Sequence, residues 1–335
     1  MKEESLWLNQ SEIDKLPTEG ESFENVLEFA NQGLEADISD QNNSHNTQTL
    51  AAALLCARDV DPRYCEQSEK GLQDVIGTEA GGRTLALGRN LLAYVLAADL
   101  IGYKEAEFVN WLDYVRTAEI SSRAGMLHLQ DAAMRDPSNW GNHARASMIA
   151  TARYLENEEL LDSLANRFHD YVGRSSEGWD FRVDMSWHAD PENPLGINPP
   201  GSIIEGHNVD GVIPDDQRRA GDSFDPYLPF HWPPIKTGYS WETLQGIVAA
   251  AELLNRAGYP AWEWESQAVL RAVNWLYNTK FDDGLVDAAQ GDDRWQIWLI
   301  NYAYGSDFPA EIATEPGKNL GFTDWTHGGR NIPTQ

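Results

Sequence analysis

The sequence predicts an all-α fold, an (α/α) toroid or incomplete barrel of alternating inner and outer helices. Two kinds of helical segment alternate along the chain, the ends of the apolar ones overlay as a weak repeat, and one long aromatic-rich stretch interrupts them. With 335 residues, 41% of them hydrophobic, the chain is long enough for a large core, and it reads as a single catalytic domain over residues 1–335.

The first 45 or so residues are polar and acidic, apart from Ser22 to Leu34, where Phe23, Val26, Leu27, Phe29 and Ala30 mark the apolar face of an amphipathic helix. Asp40 to Thr47 reads as a loop. Small, apolar, nearly unbroken segments follow at Thr47 to Ala57, Thr84 to Ile101 and His143 to Leu155. They alternate with amphipathic segments at Tyr64 to Ile76, Lys104 to Ile120 and Asn157 to Val172. A helix apolar on nearly all sides has to be buried, whereas one with a charged face can form an outer layer.

Residues 173–238 break this pattern with Gly, Pro and aromatics, and a loop of that length inside a compact chain is expected to be a functional lid, with room for a short hairpin. The alternation then resumes with Trp241 to Asn255, Ala261 to Thr279 and Arg294 to Tyr304. Lys318 to His327 resembles the long loop in character and is expected to form another wall.

The ends of the inner segments, Ala97-Ala98-Asp99-Leu100, Ala152-Arg153-Tyr154-Leu155 and Ala251-Glu252-Leu253-Leu254, can be overlaid, which suggests stacked helical hairpins. On that overlay Arg89 and Asn90, Asn142 and His143, and Tyr239, Trp241 and Glu242 all fall near inner-helix N-termini. Their free N–H groups and partial positive charge would then point into one cleft.

Composition narrows the function. The 25 Lys+Arg against 53 Asp+Glu give a net charge of −28, which repels nucleic acid and anionic membranes at long range, so neither is an expected partner. Screening over about 8 Å still lets a local positive cleft take an anionic sugar. No apolar run approaches the ~18 residues of a membrane span, and Met1 to Glu4 lacks the basic start of a signal peptide. The expected setting is secreted or periplasmic, as a mature form, with the cytoplasm as the alternative. Cys56 and Cys65 flank a predicted turn at Asp59-Val60-Asp61-Pro62 and are either a disulfide pinning it or two partly buried thiols.

The chemistry concentrates in Asn139-Trp140-Gly141-Asn142-His143-Ala144-Arg145, where Asn139 or Asn142 can cap a helix start. Asn142 and Arg145 are candidate carboxylate binders, and His143, with an ordinary pKa of about 6.5, is a candidate proton carrier. Tyr239 opens the helix after the long loop and is a second proton carrier, with Lys236 and Arg89 as possible sources of nearby positive charge. From the loop, His188 is a further catalytic candidate and His207 a substrate-binding one, with His231 beside them. They lack Asp/Glu at ligand spacing, so no metal or other cofactor is expected. Arg218-Arg219 either neutralise Asp215, Asp216 and Asp222 or recognise an anionic sugar.

With 13 Trp and 12 Tyr, the chain suits stacking on sugar rings. Trp140, Trp187, Trp232 and Trp241 are expected in the groove, and Trp262, Trp264, Trp275, Trp295 and Trp298 in the core.

The Asn142-His143 pair at a helix start, the later Tyr239 and the alternating hairpins together resemble the alginate-lyase-type polysaccharide lyases with an (α/α) toroid, over roughly residues 45 to 305. The resemblance implies β-elimination on a uronate polymer such as alginate, poly-mannuronate or poly-glucuronate, without a cofactor. It implies that Asn142 neutralises the carboxylate, that His143 and Tyr239 move the protons, and that an Arg assists. The family's Arg, seven residues before the Tyr, is here Trp232, so that role passes to Arg89, Arg145, Arg218 or Arg219.

Two rival readings use the same cleft. An (α/α) glycoside hydrolase would need Glu242 and a second acid, Asp184, Asp210 or Asp293, about 5 to 9.5 Å apart. A non-catalytic glycan-binding protein would not bring Asn142, His143 and Tyr239 together.

Overall fold

Helices without a polar stripe are stable only when surrounded, and their packing sets the architecture of the computed structural model, which describes residues 5–120, 128–181, 184–221 and 227–329. Met1 to Glu4 and Asp222 lie outside the described residues. The chain is mostly helical, in agreement with an all-α fold.

After α1 (Gln10–Ile13) and the amphipathic α2 (Glu21–Ala30) come α3 (His45–Ala57), α4 (Arg63–Asp74), α5 (Thr84–Leu100), α6 (Ala106–Val115), α7 (Leu129–Arg135), α8 (Asn139–Tyr154) and α9 (Glu158–His169). The long irregular stretch carries one hairpin, β1 (Ile203–Ile204) against β2 (His207–Asn208), and the short α10 (Pro214–Gln217). The chain ends in α11 (Tyr239–Arg256), α12 (Trp264–Asn278), α13 (Trp295–Tyr304) and α14 (Thr323–Thr326).

In α3 every residue from His45 to Leu55 is buried, and in α5 every residue from Thr84 to Asp99. These two helices, α8 and α11 pack in series, α3 on α5, α5 on α8 and α8 on α11. The amphipathic α4 lies against α3, and α7 and α9 against α8.

Contacts at both ends fix the direction of the series. Arg89, His143 and Glu242, all near helix starts, meet at one end. At the other, Arg153 of α8 donates to the Leu253 carbonyl of α11 (3.1 Å) and to the Leu6 carbonyl (2.6 Å), while Leu6 N–H donates to Asp99 of α5 (2.9 Å). So α5, α8 and α11 run parallel, with their N-termini on one side.

Their close approach needs glycine. A Cβ on Gly88 would stand 2.8 Å from the Ala144 nitrogen, and one on Gly246 would stand 2.6 Å from the His143 nitrogen. Both obstacles are backbone, so they yield only if the helices separate. Gly246→Ala is therefore expected to cost about 1–3 kcal/mol, the usual range for overpacking a core. Chemical denaturation with an unchanged m-value checks it; a variant as stable as the parent would show that the helices slide apart freely.

The described part of the 173–238 stretch is not a free flap. Val209, Val212, Asp215, Asp216, Gln217 and Arg218 are buried, and Arg271 of α12 reaches across to the Asn198 carbonyl (2.7 Å) and to Asp210. It forms a wall packed into the body. Cys56 and Cys65 are joined as a disulfide across the α3–α4 turn. No helix among the described residues is long and apolar enough to cross a membrane.

Candidate active site

The site begins where α8 begins. Asp136 accepts from the Ser138 N–H (2.9 Å) and hydroxyl (2.7 Å), which pins the chain just before the first turn. From there Asn139, Asn142 and His143 occupy i, i+3 and i+4, one face of the helix. On α11, Tyr239, Glu242 and Thr243 have the same spacing, and the two faces meet as a ladder. The Asn142 amide donates to the Thr243 hydroxyl (2.8 Å), and His143 Nε2 lies 2.7 Å from Glu242 Oε1. Arg89 of α5 forms an ion pair with the same carboxylate oxygen.

His143 is fully buried, and burial pulls its imidazole below the ordinary value, which favours the neutral ring. Its Nδ1 faces the side-chain amide nitrogen of Asn319 at 3.2 Å. Burial by itself would raise the Glu242 carboxyl, but the hydrogen bond from His143 and the charge of Arg89 outweigh it and hold the group below the usual carboxylate range. With His143 neutral, Arg89 supplies the positive charge.

A second layer lies behind Glu242. Gln245, one turn on, donates to Asp293 (2.9 Å), as does Gln296 (3.1 Å). Burial, with the neighbouring Asp292 charge, pushes Asp293 well above the usual carboxylate range. Lys318 pairs with Asp292 (2.8 Å), its N–H donates to Gln245 (2.8 Å), and its carbonyl accepts from Asn46 (3.0 Å). The C-terminal stretch expected as a wall is thus stapled over the cluster, and it carries Asn319 inward.

Tyr239, the first residue of α11, is 37% exposed, with the Arg219 guanidinium 3.4 Å from its ring centroid. Arg219 donates to Asn139 (2.7 Å) and pairs with Asp216 (3.2 Å), so the long wall and the start of α8 hold it in place. In the first two turns of α8 and α11, Trp140, Tyr239 and Glu242 are the residues left unsealed.

Several expectations need correction. Arg145 does not reach the cleft. It is buried, donates to the Ala133 carbonyl (2.9 Å) and to Asn142, and lies against the rings of Tyr171 and Trp179. Trp241 is no groove platform, because it is 2% exposed and its indole N–H donates to the Asp287 carbonyl (3.0 Å). Trp187 is likewise buried. His188 is buried against Phe181 and pushed down to about 4 by burial, and none of its contacts among the described residues joins it to Tyr239 or Glu242. Asn142 is also buried, holding α8 to α11 with its amide.

Other candidates keep a place near solvent. His207 stacks on Trp232, ring centroids 4.5 Å apart, and both are half-buried. Arg218 is consumed by Asp215 (2.7 Å), and Asp210 by Arg271. Sequence reasoning missed Asn319 and the pairing of Arg219 with Tyr239. Nothing periodic marks either; the nearest signals were the polar character of Lys318 to His327 and the Arg218-Arg219 pair.

No protein-family model matches the chain, and no curated protein matches it at a significant level.

Proposed function

We propose that the chain is a polysaccharide lyase with an (α/α) toroid architecture, cleaving a uronic-acid polymer such as alginate, poly-mannuronate or poly-glucuronate by β-elimination. The observation that carries this reading is the exposed Tyr239 hydroxyl-bearing ring beneath the Arg219 cation, one turn from the Arg89–Glu242–His143 cluster. Removing the proton alpha to a carboxylate builds negative charge on the sugar, which a fixed guanidinium and parallel helix N-termini offset. Tyr239 is the group with access to substrate. As the phenolate it takes the C5 proton, the electron pair forms the C4–C5 double bond, the C4–O bond breaks, and the phenol so formed gives its proton to the departing oxygen and returns to the phenolate. His143, sealed between Asn319 and Glu242, serves by holding the ion pair in place. Trp140 and the His207–Trp232 stack offer flat faces to the polymer. The disulfide supports a secreted or periplasmic setting.

A second reading, glycoside hydrolysis, is favoured by one observation: the Glu242 carboxyl is pulled below the ordinary range while burial pushes Asp293 well above it, the opposite displacements that suit a nucleophile or base and an acid. The two are separated by incubating the protein with alginate, poly-mannuronate, poly-guluronate and poly-glucuronate, following ultraviolet absorbance and reducing ends together, with His143→Ala alongside. An absorbance rise on one polymer, lost in the variant, is expected. New reducing ends without absorbance would overturn the lyase in favour of the hydrolase. Silence in both assays would overturn both.

A further inference from the structure

Asn319 faces His143 from the C-terminal wall, on the opposite side of the ring from Glu242. An amide nitrogen can only donate, so Nδ1 of His143, 3.2 Å away, must accept. A carboxylate oxygen already paired with Arg89 can only accept, so Nε2, 2.7 Å from it, must donate. Both neighbours select the same form of the ring.

We propose that Asn319 is a positioning residue that holds His143 as the neutral tautomer with its proton on Nε2. If the amide were turned over, Oδ1 would demand a proton on Nδ1. Nε2 would then either point a lone pair at the Glu242 carboxylate or carry a second proton, making an imidazolium in a fully buried site beside Arg89. Asn319 Oδ1 is buried and has no hydrogen-bond partner among the described residues, so the contact with His143 is what orients the amide. The segment bearing it is fixed from three directions, through Asn46 of α3, Gln245 of α11 and Asp292 before α13.

The charged groups facing His143 are Glu242 on α11, Arg89 on α5 and Asp292 on the turn before α13. Glu242 and Asp292 favour an imidazolium, Arg89 and burial oppose it, and burial is the largest influence. Lys318 has its ammonium committed to Asp292. An Asp at 319 would add a carboxylate on the second side of the ring and tip this balance.

The test is nitrogen-15 NMR of histidine-labelled protein, with the His143 signals assigned by their loss in His143→Gln. The wild type is expected to show one protonated ring nitrogen, Nε2, at neutral pH and into the mildly acid range. Asn319→Asp is expected to show both nitrogens protonated, with the titration moved up by about 1–3 pH units. A wild-type proton on Nδ1, or on both nitrogens, would overturn the proposal, as would a folded Asn319→Asp with unchanged His143 signals. If that variant fails to fold, the wild-type titration decides. None of these readouts requires an active enzyme, so they stand or fall separately from the lyase reading.

Discussion

Glu242→Gln is expected to destabilise the protein by on the order of 3 kcal/mol at neutral pH, and the loss is expected to vanish in acid. Arg89 and the hydrogen bond from His143 hold the carboxyl below its ordinary value of 4.5 in the folded chain, and removing one partner of a buried ion pair typically costs about 3–5 kcal/mol. Because the folded value lies below the unfolded one, the stabilisation is fully present above about 4.5 and drains away as pH falls through the lowered folded value. The amide cannot titrate, so the variant lacks that part of the acid-side decline. In the variant Arg89 keeps a largely buried charge facing a neutral group, which is the source of that cost. Urea denaturation of both proteins at a series of pH values checks this: the two stability curves should converge as the carboxyl protonates in acid. A constant gap at all pH values would show that the glutamate matters by shape and not by charge.

How much of this was legible in the sequence follows from what sequence patterns encode. Periodicity reports burial, so the all-round apolar character of α3, α5, α8 and α11 correctly marked them as enclosed, and their polar N-terminal residues Arg89, His143 and Glu242 do meet. The failures were failures of angle. On a helix, residues two apart point in nearly opposite directions, so Trp241 could not share a face with Tyr239, nor Arg145 with His143. Trp241 is accordingly buried against Tyr277, and Arg145 against Tyr171 and Trp179. The contact of Asn319 with His143 spans a sequence separation of 176 residues through an irregular segment, where no local pattern announces a partner. Arg219 was visible as a cation but not as the neighbour of Tyr239, since the turn that delivers it is held by buried tertiary contacts.

Those angles also single out Tyr239 for the sharpest functional test. Tyr239→Phe is expected to lower the rate of β-elimination by about 10²–10⁴-fold, the usual contribution of a positioned acid or base, while leaving stability and polymer binding close to the parent. The ring and its stacking with Arg219 survive the change, and the phenol oxygen sits at an exposed position, so the substitution removes the reacting atom and little else. The effect should therefore fall on kcat, with KM nearly constant. His143→Ala and Glu242→Gln should instead reduce activity together with stability, because both dismantle the buried network joining α5, α8 and α11. Initial rates of ultraviolet absorbance on the responsive polymer, measured beside a thermal melt, separate the two kinds of loss. If Tyr239→Phe kept the parent rate, the phenol would be only a sugar-stacking surface. Proton transfer would then fall to the carboxyl pair of Glu242 and Asp293, and Asp293→Asn should in that case abolish whatever activity remains.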